Sequence, residues 1–419
     1  MEGVFGIGYN ADRESVVWIM ATFNLRKFTN PDWLGTISVP RLVRLLSPWH
    51  DYLASRGFDL QSEAGVAVDC GALALVLMTP DSSTPVEMIE ALYYIQETSS
   101  PEDMESLRAR AAARRLLNTD DLEVTPTDYV IDAWLADPAI VHECHAEAIA
   151  RRQQNFEYFL GRLGHGRTFP AIEPDVRLQM QSALDDWFSD HKRGRGYRLF
   201  VFRHPPIVWL LVRHGLPMRR EASHRDDGTA GTAFYRPQQH DVITYDENTD
   251  EIGIHAGIVG ERKLYLRTIG GILFGDEGYF PQTPKFTLEP LVEQGAAALN
   301  CADIDGMDDV KLVEYHQYWG GAHKESEVRR ATDIFAAMEK RGSGNFLTRT
   351  PTAATFKVIF SGSPKERRVV IRTPATARYE RNEDCEIVER WLRERGFLLR
   401  RAEVEDHDDA DLTTVLEGS

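Results

Sequence analysis

The sequence predicts a multidomain protein, α plus α+β: a helical N-terminal domain, then antiparallel sheet with helices packed on one face. Three observations lead there. Helix-start signals recur through the first half, short β-branched and aromatic runs fill the second, and turn residues separate those runs. At 419 residues the chain can carry two or three hydrophobic cores, and its 42% hydrophobic and 10% aromatic content is that of a folded chain.

Residues 1–190 are expected to be predominantly helical. Thr84-Pro85-Val86-Glu87, Ser100-Pro101-Glu102-Asp103 and Thr125-Pro126-Thr127-Asp128 share one form. A hydroxyl accepts from an orphan N–H, Pro takes an early position, and an acid complements the dipole. Leu42, Leu45, Leu46, Trp49 and Leu53 mark an earlier helix bent near Ser47-Pro48. A long helix is predicted from about Pro138 to Gly161.

Residues 191–285 are expected to form an antiparallel meander with one helix. "YRLFVFRH" and "IVWLLVRHG" flank Pro205-Pro206, which cannot donate to a ladder and suits the connection. "DVITYDENTDEIGIHAG" is a hairpin turning at Asp246 to Asp250, and "ERKLYLRTIGGILFG" returns to helical spacing. Residues 286–402 follow as hairpin, helix, hairpin, helix. The first hairpin turns at Asp305-Gly306, and "ESEVRRATDIFAAMEK" is a helix with Val328, Ala331, Phe335 and Met338 on one face. The second hairpin turns at Ser361 to Lys365, and "NEDCEIVERWLRERG" is capped at Gly396. Residues 403–419 form an acidic tail, expected to be disordered, without Lys or Arg.

Net charge is −17, which excludes a protein that coats nucleic acid indiscriminately but not a local basic patch. His191 to Arg225 holds nine Lys and Arg against one acid, Glu221. No apolar run reaches the roughly 20 residues of a membrane span, and Cys70, Cys144, Cys301 and Cys385 lie far apart without a CxxC. A reduced, cytoplasmic setting and no membrane partner are therefore expected. No Walker A string, dinucleotide fingerprint, HExxH or GxSxG occurs, so no cofactor is expected. No metal site is expected either. His142 and His145 of "HECH" have no evident third ligand, and Asp276 and Glu277 of "GDEGYF" suit a polar turn.

The sharpest local string is "LLVRHG", Leu210 to Gly215. It resembles the strand-end Arg-His-Gly of the histidine phosphatase superfamily. That resemblance implies a phosphohydrolase with His214 as nucleophile, Arg213 as phosphate clamp and His255 as acid-base partner. It covers six residues, and hairpins rather than a helix and parallel sheet follow.

The principal expectation is binding, as part of a larger complex. Arg195, Arg198, Arg203, Arg219, Arg220 and Arg236 would line a basic β surface for nucleic acid or another phosphorylated partner. Tyr235, Tyr315, Tyr318 and Trp319 would supply stacking faces. A protein-interaction subunit without catalysis is the remaining alternative.

Overall fold

A computed structural model describes residues 25–60, 68–116, 124–225, 227–320, 322–342, 347, 349–381 and 384–399. The acidic tail lies outside them. The chain divides into two compact units, Met1–His145 and Ala146–Ser419.

The first unit is helical, as expected of its sequence. It contains α1 (Pro31–Leu34), α2 (Val39–Leu46), α3 (His50–Ser55), α4 (Cys70–Met78), α5 (Val86–Glu97), α6 (Pro101–Arg114), α7 (Pro126–Ala136) and the start of α8 (Pro138–Arg152). A 3₁₀ turn at Ser47–Trp49 separates α2 from α3, the bend expected at Pro48. The Ser100 and Thr125 hydroxyls accept from the N–H groups of Asp103 and Asp128. Thr84 does not cap α5; its hydroxyl accepts from the Asp81 N–H and pairs with the Tyr52 hydroxyl. His142 and His145 pack against the Tyr94 ring at 4.3 and 5.0 Å, as part of an aromatic cluster.

The predicted helix to Gly161 stops at Arg152, and Asn155–Leu160 is a strand, β1. Arg151 and Arg152 complement the dipole of the last turn, and the aromatic, alternating "NFEYFL" then suits a pleated surface. Next come α9 (Pro174–Asp190), β2 (Arg198–His204), β3 (Ile207–Gly215), β4 (Arg219–His224), β5 (Ala230–Tyr235), β6 (Gln238–Asp246), β7 (Glu251–His255) and α10 (Val259–Phe274). After them lie α11 (Glu289–Glu293), β8 (Met307–Gly320), β9 (Glu325–Arg330), α12 (Ile334–Lys340), β10 (Ala353–Phe360), β11 (Ser363–Arg372), β12 (Thr376–Arg378) and α13 (Cys385–Glu394).

One ten-stranded antiparallel sheet, in the order β2-β3-β6-β7-β1-β12-β11-β10-β8-β9, takes in both sheet regions. β1 joins the halves, pairing with β7 on one side and β12 on the other. No hairpin turns at Asp305-Gly306. Gly295–Leu299 is a 3₁₀ turn, Gly306 precedes β8, and "ESEVRR" is the edge strand β9 rather than helix. Ala-rich "GAAAL" lacks the β-branched residues a strand favours, and the helix begins only where Asp333 caps Ala336.

Alternation separates two cores. Val208, Leu210, Val212, Ile243 and Ile254 face Met180, Leu184 and Phe188 of α9 and Tyr265 and Ile269 of α10. The opposite face carries Phe156, Tyr158, Trp209, Leu211 and Val242, continuous with Phe356 and with Val388, Trp391 and Leu392 of α13. Among the described residues no helix is long and apolar enough to cross a membrane.

Trp391 is fully buried, its ring 5.2 Å from both Phe356 and Phe397. Trp391→Ala is expected to destabilise the sheet unit by about 3–5 kcal/mol, read from the urea midpoint. A change too small to move that midpoint would mean α13 contributes little to the core.

Candidate nucleic-acid interface

The face is built from strand ends. In an antiparallel sheet the start of β2, the end of β3 and the start of β6 lie together. Register puts Arg198 opposite Arg213, and Arg213 opposite His240. All three belong to the face of Trp209 and Leu211, and the Arg213 guanidinium lies 5.6 Å from the Phe200 ring. Like charges directly opposite one another are unfavourable. Among the described residues Arg198 and Arg213 make no ion pair that would offset this. Burial, followed by the charges of Arg213 and His214, lowers the His240 pKa to about 4.

Arg236 reaches the same end. Its guanidinium donates to the Lys192 carbonyl, and its side chain lies over Gly194 and Gly215. A Cβ on Gly215 would stand 2.6 Å from the Arg193 carbonyl oxygen, so the Gly of "RHG" permits a close backbone approach. Arg195 is held by Asp186 at 2.8 Å.

From this end β4 and β5 project as a separate two-stranded arm. It interrupts the predicted meander between β3 and β6, and its base is closed by the Leu216 N–H donating to the Pro237 carbonyl at 2.8 Å. Nearly every arm residue is exposed, Phe234 at 65% and Tyr235 at 39% among them. Arg219 is on the arm without an ion pair among the described residues, and Arg220 donates to the Thr232 hydroxyl at 3.2 Å.

Arg203 is not part of this face. It sits at the other end of β2 and, five residues from Arg198, on the other side of the sheet. There it donates to the Phe169 and Pro170 carbonyls and lies 3.7 Å from Glu247. Tyr315 is buried, so only Tyr318 and Trp319 of the expected stacking strand are exposed.

The phosphatase trio does not converge. His214 points into the α9–α10 core, whereas Arg213 and His255 face the opposite side, because His255 pairs with Val242. The His255 Nδ1 lies 2.8 Å from the Asn155 carbonyl. His214 stacks on Phe188 at 4.4 Å, with Nδ1 3.0 Å from the Gly215 carbonyl and Nε2 3.0 Å from Asp241. Both ring nitrogens face acceptors, so neither is free to attack a phosphoryl group.

His214 belongs instead to a buried polar centre beneath the basic face. Tyr265 donates its hydroxyl to Asp241 at 2.7 Å, and the Arg193 guanidinium pairs with Glu261. Burial and the Asp241 charge push the Glu261 carboxyl up, against the pull of Arg193. The ligand-type atoms of His214, Asp241 and Glu261 lie within 4.8 Å of one another. Tyr265 and Arg193 each reach one of the two carboxylates, while the buried Asp241 Oδ1 and Glu261 Oε1 atoms have no hydrogen-bond partner among the described residues. Asp276 of "GDEGYF" is similarly taken, by Arg162 at 2.7 Å.

The sequence reading assigns Asp241, Glu261 and Tyr265 no role and counts Arg193 with the basic stretch His191 to Arg225, whereas the structure buries it. The available signal was parity: in "HDVITYD", Asp241 shares a face with Ile243 and Tyr245, so an acid had to point into a core. Glu261 and Tyr265 likewise share a helix face four residues apart. No protein-family model matches the chain, and no curated protein matches it.

Proposed function

We propose that the strand-end face binds nucleic acid, with the β4–β5 arm in a groove and the Arg198–Arg213–His240 row against phosphates. One observation carries this reading: the like charges of Arg198 and Arg213 stand opposite one another with no ion-paired carboxylate among the described residues, an arrangement that an external polyanion would stabilise. The arm adds support. An isolated two-stranded ribbon is marginal in water and gains by lying against a partner. A two-stranded ribbon is also of a size that a major groove admits. Phe234 and Tyr235 offer faces for bases, and Arg219 and Arg220 offer charge. The phosphohydrolase alternative has no comparable support, since His214 and His255 point to opposite faces.

Fluorescence anisotropy with a short labelled duplex tests the reading. Binding is expected to weaken steeply with salt, each neutralised phosphate contributing a slope of about −0.9 in log K against log salt. The double variant Arg198→Glu, Arg213→Glu should lose about tenfold or more in affinity and flatten that slope. Arg203→Gln, at the far end of β2, should leave both unchanged. Salt-independent binding, or equal losses from Arg203→Gln, would overturn the interface. Parallel titrations with single strands, RNA and a phosphopeptide would identify the preferred polyanion.

His240 supplies a pH signature. Because its pKa is about 4 in the free protein, a bound phosphate would raise it and take up a proton. Affinity should therefore rise as pH falls from about 6.5, the unperturbed value, towards 4, and His240→Gln should remove that rise. Over the same interval the free protein should lose stability, since a depressed histidine pKa favours the folded state only while the ring is neutral.

A further inference from the structure

Three ligand-type side chains meet out of water where β3, β6 and the first turn of α10 come together. His214, Asp241 and Glu261 are 5%, 0% and 1% exposed. The His214 Nδ1 lies 3.0 Å from the Gly215 carbonyl, an oxygen that can only accept, so the ring proton sits on Nδ1. The Nε2 lone pair then faces Asp241 Oδ2 at 3.0 Å and Glu261 Oε1 at 3.6 Å. Carboxylates are acceptors as well, so three acceptors face one point. A second ring proton would serve Asp241 but leave Glu261 Oε1 beyond hydrogen-bond reach.

An independent observation points to a cation. Among the described residues, Asp241 Oδ1 and Glu261 Oε1 are buried oxygens without a hydrogen-bond partner. Glu261 Oε1 pairs with the Arg193 guanidinium, but the contact makes no hydrogen bond, and Arg193 Nη1 is left without one too. Arg193 brings one positive charge against two carboxylates. Each of the three side chains is meanwhile braced from behind. His214 has the Gly215 carbonyl, Asp241 the Tyr265 hydroxyl at 2.7 Å, and Glu261 Oε2 the Ile258 N–H at 3.0 Å. Outer partners of this kind orient the ligands of a metal. Zinc bonds of about 2.0–2.2 Å set tetrahedral ligand separations of roughly 3.3–3.6 Å, and the observed 3.0 and 3.6 Å lie close to that range.

We infer that His214, Asp241 and Glu261 hold a divalent metal ion of the zinc class, bound through Nε2 and one oxygen of each carboxylate. An imidazole with two carboxylates suits such an ion better than magnesium or calcium, which favour oxygen alone. The two carboxylates neutralise the ion, and the Arg193 charge keeps the Trp187 ring, 5.9 Å away, as its partner. The site stands whether or not the strand-end face binds nucleic acid.

Metal analysis of the full chain provides the test, after stripping with a chelator and dialysis against zinc in excess magnesium. One equivalent of zinc per chain is expected to be retained. His214→Ala and Asp241→Asn should each weaken zinc binding by about 100-fold, and Tyr265→Phe, which removes only an outer partner, by about tenfold. His255→Gln, on the opposite face of the sheet, should change nothing. Absence of retained zinc, or equal losses from His255→Gln and Asp241→Asn, would overturn the site. Where a variant fails to fold, X-ray absorption at the zinc edge of the wild-type chain decides. One imidazole among oxygen ligands at about 2.0–2.2 Å supports the site, and two or more imidazoles, or a sulfur, overturn it.

Discussion

Four ionisable side chains meet out of water where β3, β6, α10 and the segment after α9 come together. His214, Asp241, Glu261 and Arg193 are each less than a tenth exposed. Removing one member of such a group leaves an uncompensated charge in a poor solvent, so the members hold one another in place. The constraint is geometric as well as energetic. Arg193 must turn back from the end of α9 to reach Glu261, and this fixes the path of the segment that follows. That path brings Lys192 under the Arg236 guanidinium and lets Gly215 pass against the Arg193 carbonyl. The exposed cations are therefore positioned by buried ones.

Two-residue alternation then sorts the basic residues. Arg213 and His214 are neighbours in sequence, but one reaches the half-buried strand-end row and the other the core. Arg198 and Arg203 belong to one short strand and end on opposite faces and at opposite ends. Proximity in sequence thus gathers charge on the chain, while register decides which charges share a surface.

Much of this fold was legible in the sequence. Turn chemistry at Pro205-Pro206 and at Asp246 to Asp250 located two hairpins, and capping at Ser100 and Thr125 located two helices. Misreadings fell where local pattern was ambiguous. "NFEYFL" continued a helical spacing into what became the central strand, and "ESEVRR" had apolar residues compatible with either period. The basic end was partly legible, because charge density is a property of the chain. The buried centre was not, because Arg193, Asp241 and Glu261 are far apart in sequence and meet only through register and helix packing.

The arm has a consequence for how such a protein changes over generations. Gly215 pairs with Gln238 and the Leu216 N–H already meets the Pro237 carbonyl, so the β3–β6 ladder is complete beneath the excursion. The segment from Arg219 to Tyr235 is in effect a long loop on a finished hairpin. Its length and composition can drift, or the whole segment can be exchanged, without asking any core residue to compensate. Contact chemistry and architecture are then inherited separately, and two descendants with identical sheets can differ entirely in what they touch.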